Sequence, residues 1–176
     1  VSEAEAIRRS GGEPITQERL ARDLLGLGVR PGTVMLVHTA LSQLGWVCGG
    51  PVAVIRALQD TIHTHGTLVM PAHSGDLSDP ALWDHPPVPE QWWETIRETM
   101  PAFDPEVTPT RGMGRTAELF RTLPGVLRSD HPHVSFAAWG EHAVSVLDRH
   151  SLEESLGDRS PLARLYDLDA WVLLLG

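Results

Sequence analysis

Two short apolar runs separated by one helix-length segment constrain this chain more than any other feature. Val34-Met35-Leu36-Val37-His38 follows the turn residues Arg30-Pro31-Gly32, and Thr67-Leu68-Val69-Met70 follows His65-Gly66 and stops at Pro71. Continuous apolar runs bounded by turn signals read as strands buried on both faces. Between them Pro51 suits the first turn of a helix, and Val52, Val54, Ile55, Leu58 and Ile62 recur near helical spacing. Strand, helix and strand make a βαβ unit with a right-handed crossover and parallel strands. The expected fold class is α/β: a mixed, largely parallel central sheet flanked by helices, in a single domain over residues 1–176.

The remaining elements are read in the same way. Residues 1–10 are polar and lead to Gly11-Gly12, a loose entry. Thr16 can cap a helix carrying Leu20, Leu24, Leu25 and Leu27, with Glu18 in its first turn and Gly28 at its end. Residues 72–114 carry much Pro, Asp and Trp, with one short helix expected near 90–99; so long a connection is usually functional. Helical spacing returns over 116–123 and breaks at Pro124-Gly125. Phe136-Ala137-Ala138-Trp139 reads as a strand, 141–147 as a helix, and Ser160-Pro161 opens a helix through Tyr166. Trp171-Val172-Leu173-Leu174-Leu175 is again strand-like. An apolar strand in a layered structure needs cover on each face, so part of the domain is expected beyond residue 176.

Fourteen Arg and no Lys stand against twenty-three Asp and Glu, a net charge of −9. That balance disfavours nucleic acid and would attract polycations. With no apolar run long enough to span a bilayer and no signal-peptide core, a soluble cytoplasmic protein without a membrane partner is expected. The single cysteine, Cys48, cannot close an internal disulfide. Abundant Ala, Arg, Pro and Gly without Lys point to a GC-rich bacterial genome.

Several residues have the chemistry of a site. His38 stands at the carboxyl end of the first buried strand, where ligands gather in open α/β sheets; it suits proton relay, and equally a histidine held by backbone bonds. Thr39 and Ser42 place hydroxyls just beyond the strand, where free backbone N–H groups can meet an acyl carbonyl, although such residues more often cap turns. Gly45 through Pro51 puts glycines ahead of a helix start, suited to an anion or to a plain turn; it is neither a P-loop nor a dinucleotide fingerprint. Arg128-Ser129-Asp130-His131-Pro132 with Ser135 forms a dense polar cluster, either a phosphate-binding site or a hydrogen-bonded loop. Asp76, Asp79, Asp84 and Glu90 can receive ammonium groups or be solvated loop charges, and Trp83, Trp92 and Trp93 can line a cleft or pack a lid. His63 with His65, or His131 with His133, would serve a metal-dependent hydrolase, but no further ligand spacing completes a set and no metal is assigned. A Gly-x-Ser-x-Gly elbow is absent.

Taken in order, Val37-His38-Thr39-Ala40-Leu41-Ser42, Gly49-Gly50-Pro51, Gly66-Thr67-Leu68-Val69-Met70-Pro71, Pro109-Thr110-Arg111-Gly112-Met113-Gly114 and Arg128-Ser129-Asp130-His131-Pro132 resemble the aminoglycoside 3-N-acetyltransferase family. Phe120-Arg121, Pro124-Gly125-Val126, Ser135 through Gly140 and Ser160-Pro161-Leu162 extend the likeness, which runs from about Leu25 to Gly176. The insert containing Asp76 through Trp93 resembles a subgroup of uncharacterised bacterial members more than the clinical resistance enzymes.

The resemblance implies a family-specific α/β fold distinct from the common acetyltransferase fold, and a chain forming the N-terminal two-thirds of a longer acetyltransferase. It implies direct transfer from acetyl-CoA to the 3-amino group of an aminoglycoside within a ternary complex, by a monomer or homodimer. His38 and Thr39 are then the catalytic candidates. Val37, His38, Thr39, Ala40, Leu41, Ser42, Met113, Arg128, Ser129, His131 and Ser135 are the cofactor candidates. Asp76, Asp79, Glu90, Trp92 and Trp93 would face the cationic substrate. The family's general base lies in an Asn-Thr-x-x-His stretch after the strand matching Val172 to Gly176, which this sequence does not reach. The family often has Ser where Thr39 and Ala40 stand, so Ala40 removes one hydroxyl. A CoA-binding module without catalysis is the remaining alternative.

Overall fold

A computed structural model describes residues 3–176 and opens on helix α1 (Glu3–Arg9), where a loose entry was expected. α1 buries no residue; Arg9 Nη1 donates to Gln43 Oε1 and Glu3 accepts from the Trp46 indole. α2 (Gln17–Gly26) starts at Thr16, whose hydroxyl accepts from Arg19 N at 3.2 Å, and buries Leu20 and Leu24. Leu25 and Leu27 stay exposed.

β1 (Val34–Thr39) leads into the single turn α3 (Leu41–Leu44) and then α4 (Gly50–Ile62). α4 buries Val54, Ile55, Leu58 and Ile62 as its spacing predicts, whereas Val52 turns outward at 49% exposure. β2 (Thr67–Pro71) follows, buried along its whole length. Two 3-10 turns (Pro80–Leu82 and Glu90–Trp92) and α5 (Trp93–Thr99) occupy the long connection. α6 (Gly114–Phe120), the two-residue β3 (Leu127–Arg128), β4 (Phe136–Gly140), α7 (Ala143–Leu147), α8 (Pro161–Asp167) and β5 (Trp171–Leu175) complete the chain. α8 begins as the sequence indicates: Ser160 Oγ accepts from Leu162 N.

The sheet order is β3-β4-β2-β1-β5. β1 is parallel to β2, Leu36 opposite Val69, and to β5, His38 opposite Leu174. β4 runs antiparallel to β2, Pro71 opposite Phe136, which makes the sheet mixed. At the far end of that pairing Gly140 adopts φ +109 against the Gly66 carbonyl, where any Cβ would clash.

Strand alternation divides the core in two. Met35, Val37, Leu68, Met70 and Ala137 pack with α2, α4 and α6 around Ile55, Leu58 and Phe120. Leu36, Val69, Phe136 and Ala138 pack on the other face with Val146, Leu147 and Leu165 of α7 and α8. β5 lies at the sheet edge: Leu173 and Leu175 join the first core, while Val172 and Leu174 are 65% and 73% exposed. Among the described residues no helix is long and apolar enough to cross a membrane.

Candidate functional site at the carboxyl ends of the parallel strands

Four segments meet where β1 and β2 end. His38 and Thr39 close β1, and Ala72, His73 and Ser74 leave β2. The start of β4 crosses them, with Ala72 N donating to Ser135 O and Ser74 N to His133 O. Residues 109–114 close the group: Arg111 N donates to the His73 carbonyl, and Gly114 lies against the Thr39 carbonyl. The segment ending in His38 and the polar cluster from Arg128 to Ser135 thus emerge at one end of the sheet.

Because side chains alternate along a strand, the two catalytic candidates leave on opposite faces. Val37 is core, and Thr39, two residues on, lines a cavity of about 790 Å³ with Ala40, Leu41, Ser42, Gly49 and Gly50. His38 follows Leu36 to the other face and is exposed. Neither the Thr39 nor the Ser42 hydroxyl is engaged among the described residues, so both are available to a ligand. The Ala40 amide is not, since it donates to Leu175 O at 2.8 Å. Met113 packs against the first core and does not line the cavity.

Arg128 is a structural hub. Its Nε donates to Ser135 Oγ at 2.9 Å, Nη2 to Ala72 O at 2.6 Å and Ser74 Oγ at 3.3 Å, and Nη1 to the carbonyls of Thr108 and Pro105. Those partners occupy the five N–H groups of a guanidinium. The expectation that Arg128 meets a phosphate is therefore corrected: its donors tie the exits of β2 and β4 to the 105–108 loop. Its guanidinium also stacks over Phe103 at 4.9 Å. Burial first, then the nearby Arg121, lowers its pKa to about 10, against the pull of Glu118.

Ser129, His131 and Ser135 are likewise turned inward. Ser135 donates to Ala72 O at 2.7 Å. His131 Nδ1 accepts from the amides of His133 and Val134, which shapes the loop, and its ring lies 4.6 Å from that of His150. His150 Nε2 sits 2.6 Å from Ser155 O and so carries the proton, leaving Nδ1 to accept from the Ser129 hydroxyl at 3.0 Å. Burial, then the imidazoles of His150 and His133, holds His131 below the usual histidine pKa; burial dominates for His150 too.

His73 escapes sequence reasoning because it lies in a turn-rich stretch with no motif around it. It packs edge-on against Phe136 at 5.5 Å, and its buried Nε2 has no partner among the described residues. Burial first, then His133, His38, His131 and His150, keeps it neutral by pushing its pKa down.

The long connection supplies the substrate candidates unevenly. Asp79 is taken by Arg97, which reaches its two oxygens at 2.8 and 3.2 Å, and it also caps Ala81 N. Trp93 stacks with the same Arg97 at 5.8 Å, and Glu90 and Trp92 lie exposed in the preceding turn. Asp76 is half-buried beside Gly75, which lies against the His133 ring, and it has no hydrogen bond or ion pair among the described residues.

The metal-hydrolase alternative finds no support. His63 ends α4 and His65 faces Glu141 at the amino end of β2, the opposite end of the sheet from His131 and His133. Among the described residues no three His, Cys, Asp or Glu gather as a metal site.

Known proteins share this fold. The chain is 53% identical over 164 residues to the SPbeta prophage-derived aminoglycoside N(3')-acetyltransferase-like protein YokD of Bacillus subtilis, covering 93% of the chain and 60% of YokD. The YokD crystal structure superposes with a TM-score of 0.92 at 51% identity, over 95% of this chain and 62% of that one. Aminoglycoside N(3)-acetyltransferase VIII of Streptomyces fradiae is 43% identical over 177 residues, covering all of this chain and 60% of the relative. The structure of AAC-IIIb, binary with CoASH, matches with a TM-score of 0.80 at 35% identity, over 92% of this chain and 59% of that one. The chain thus spans about three fifths of the length of its relatives. Residues 36–176 fit the model of one family throughout, and on that match, this fold and these relatives, the chain belongs to the aminoglycoside 3-N-acetyltransferases.

Proposed function

We propose that the chain forms the acetyl-CoA side of an enzyme that acetylates the 3-amino group of an aminoglycoside. The observation that carries this reading is the cavity of about 790 Å³ at the end of β1, lined by Thr39, Ala40, Leu41 and Ser42 with two uncommitted hydroxyls. Its volume lies in the range of cofactor sites. A relative of the same fold is seen with CoASH, and others are named for aminoglycosides.

The cofactor supplies the acetyl group as a thioester. The chain's own residues bind and orient. Thr39 and Ser42 hold the cofactor through their hydroxyls, and Leu41 and the glycines before α4 give the cavity its apolar wall. Asp76, at the same end of the sheet, receives an ammonium group of the polycation. An ammonium has no lone pair, so the attacking amine must be neutral. His38 and His73 are suited to that demand: the first is open to solvent, and the second is held neutral by burial. The family resemblance assigns the principal base to an Asn-Thr-x-x-His stretch that residues 1–176 do not contain.

The test is acetyl-CoA turnover, read as free thiol, against a panel of aminoglycosides. It is run on this chain and on a chain extended to the length of its relatives. Thiol release dependent on aminoglycoside in the longer form, with CoA binding in both, is the expected result. A longer form that binds CoA yet acetylates no aminoglycoside would overturn the substrate assignment.

A further inference from the structure

Residues 1–176 contain no lysine, so the permanently charged cations that this part of the protein can bring to a phosphate are arginines. Most arginines near the site are already engaged: Arg128 on carbonyls and Ser135, Arg121 on Glu118, Arg97 on Asp79, and Arg9 on Gln43. Arg115 is different. It is exposed in the first turn of α6, lines the cavity below β1, and has no hydrogen bond or ion pair among the described residues. Glu3 is the one carboxylate on the cavity lining among the described residues, and one of its oxygens accepts from the Trp46 indole at 3.1 Å.

A second, independent observation falls on the next residue. Thr116 lines the same cavity, is 1% exposed, and its Oγ1 is buried without a hydrogen-bond partner among the described residues. A buried hydroxyl is ordinarily paired, and an unpaired one on a residue that lines a cavity is a group whose pairing a ligand can complete. The first turn of α4, a thirteen-residue helix entered through left-handed Gly49, lines the same cavity; Gly50 N donates to Val47 O and Pro51 has no N–H, so that end contributes its dipole more than free donors.

We propose that Arg115 and Thr116 form an anion subsite of this cavity and take a phosphoryl group of the CoA thioester. The assignment rests on reading the cavity as the CoA site, and it names the groups that neutralise the cofactor there. The guanidinium supplies charge and paired N–H donors, and the Thr116 hydroxyl donates to a third oxygen.

Calorimetric titration of the chain with CoA, and with pantetheine as the phosphate-free probe, tests the subsite. Arg115→Glu is expected to weaken CoA binding by at least about tenfold, and Thr116→Val by about threefold. Arg115→Lys, which keeps the charge but not the paired donors, should lose less than Arg115→Glu, and pantetheine binding should stay within about twofold in every variant, because it lacks the group these residues hold. Wild-type CoA binding that survives Arg115→Glu unchanged would overturn the subsite and leave the cavity assignment standing. Equal losses for CoA and pantetheine would also overturn it, since the residues would then serve only the cavity's shape. Failure of the wild-type chain to bind either compound would overturn the CoA reading itself. Arg115 is exposed, so its variants should fold even if Thr116→Val does not.

Discussion

His38 and Thr39 are adjacent in the chain and leave β1 on opposite faces of the sheet, Thr39 into the cavity and His38 to the side shared with Leu36. The two positions should therefore separate kinetically. Thr39→Val is expected to raise the KM for acetyl-CoA while sparing kcat, and His38→Gln to lower kcat by about a hundredfold if it assists proton transfer. Steady-state kinetics with each substrate varied in turn would show it, and matching defects would mean that the two side chains act as one unit.

Asp76 and Asp79 should differ for a similar reason. Asp79 is bound by Arg97 and Asp76 by nothing among the described residues. Asp76→Asn is expected to raise the aminoglycoside KM about tenfold, the loss of one ammonium contact worth ~1.4 kcal/mol. Asp79→Asn should leave it nearly unchanged and alter stability little, as exposed pairs do. A larger effect at Asp79 would reverse this ranking.

Arg128 should matter to folding more than to binding. Arg128→Met leaves the carbonyls of Thr108 and Pro105 without their side-chain donor and takes one of two donors from Ala72 O, and about 2–4 kcal/mol of unfolding free energy should be lost. Urea denaturation followed by circular dichroism would measure the loss; a midpoint unchanged from wild type would show that water replaces the guanidinium.

The histidines around Phe136 set a pH dependence. Burial keeps His73, His131 and His150 below the usual value when folded, and unfolding returns them to about 6.5. The unfolded chain therefore binds more protons, so stability is full above about pH 7 and falls as pH drops below 6.5 toward the folded values. Urea midpoints at descending pH should shift down, and His73→Asn should flatten that slope. A midpoint constant through this window would contradict the neutral assignment.

Among the described residues β5 pairs only with β1 and leaves Trp171, Val172 and Leu174 exposed, a feature that makes residues 1–176 on their own prone to self-association. Sedimentation velocity should show concentration-dependent association of the chain, reduced by Val172→Thr with Leu174→Thr. A wild-type chain that stays monomeric at high concentration would contradict this.

The βαβ unit was legible from residues alone because buried strands must be apolar and helices repeat every 3.6 residues. The same holds for Thr16 and Ser160, whose caps depend on local geometry. Helix α1 escaped notice because it buries nothing and so leaves no apolar period, and β3 because two residues carry no pattern. The polar cluster from Arg128 to Ser135 was visible as density, but not its direction. Whether a guanidinium faces a ligand or five protein acceptors depends on carbonyls contributed by residues 72, 105 and 108, far away in the chain.

Local chemistry along the chain thus determined the strands, the main helices, the family likeness and the strand end at which ligands gather. Tertiary structure alone decided which face each site residue takes, that Asp79 is occupied while Asp76 has no partner among the described residues, and that the buried Thr116 hydroxyl is left unpaired among them beside a cavity. The reason is physical: propensity and periodicity act over a few residues, whereas the pairing of a buried polar group depends on partners that only the folded chain brings within 3 Å or so.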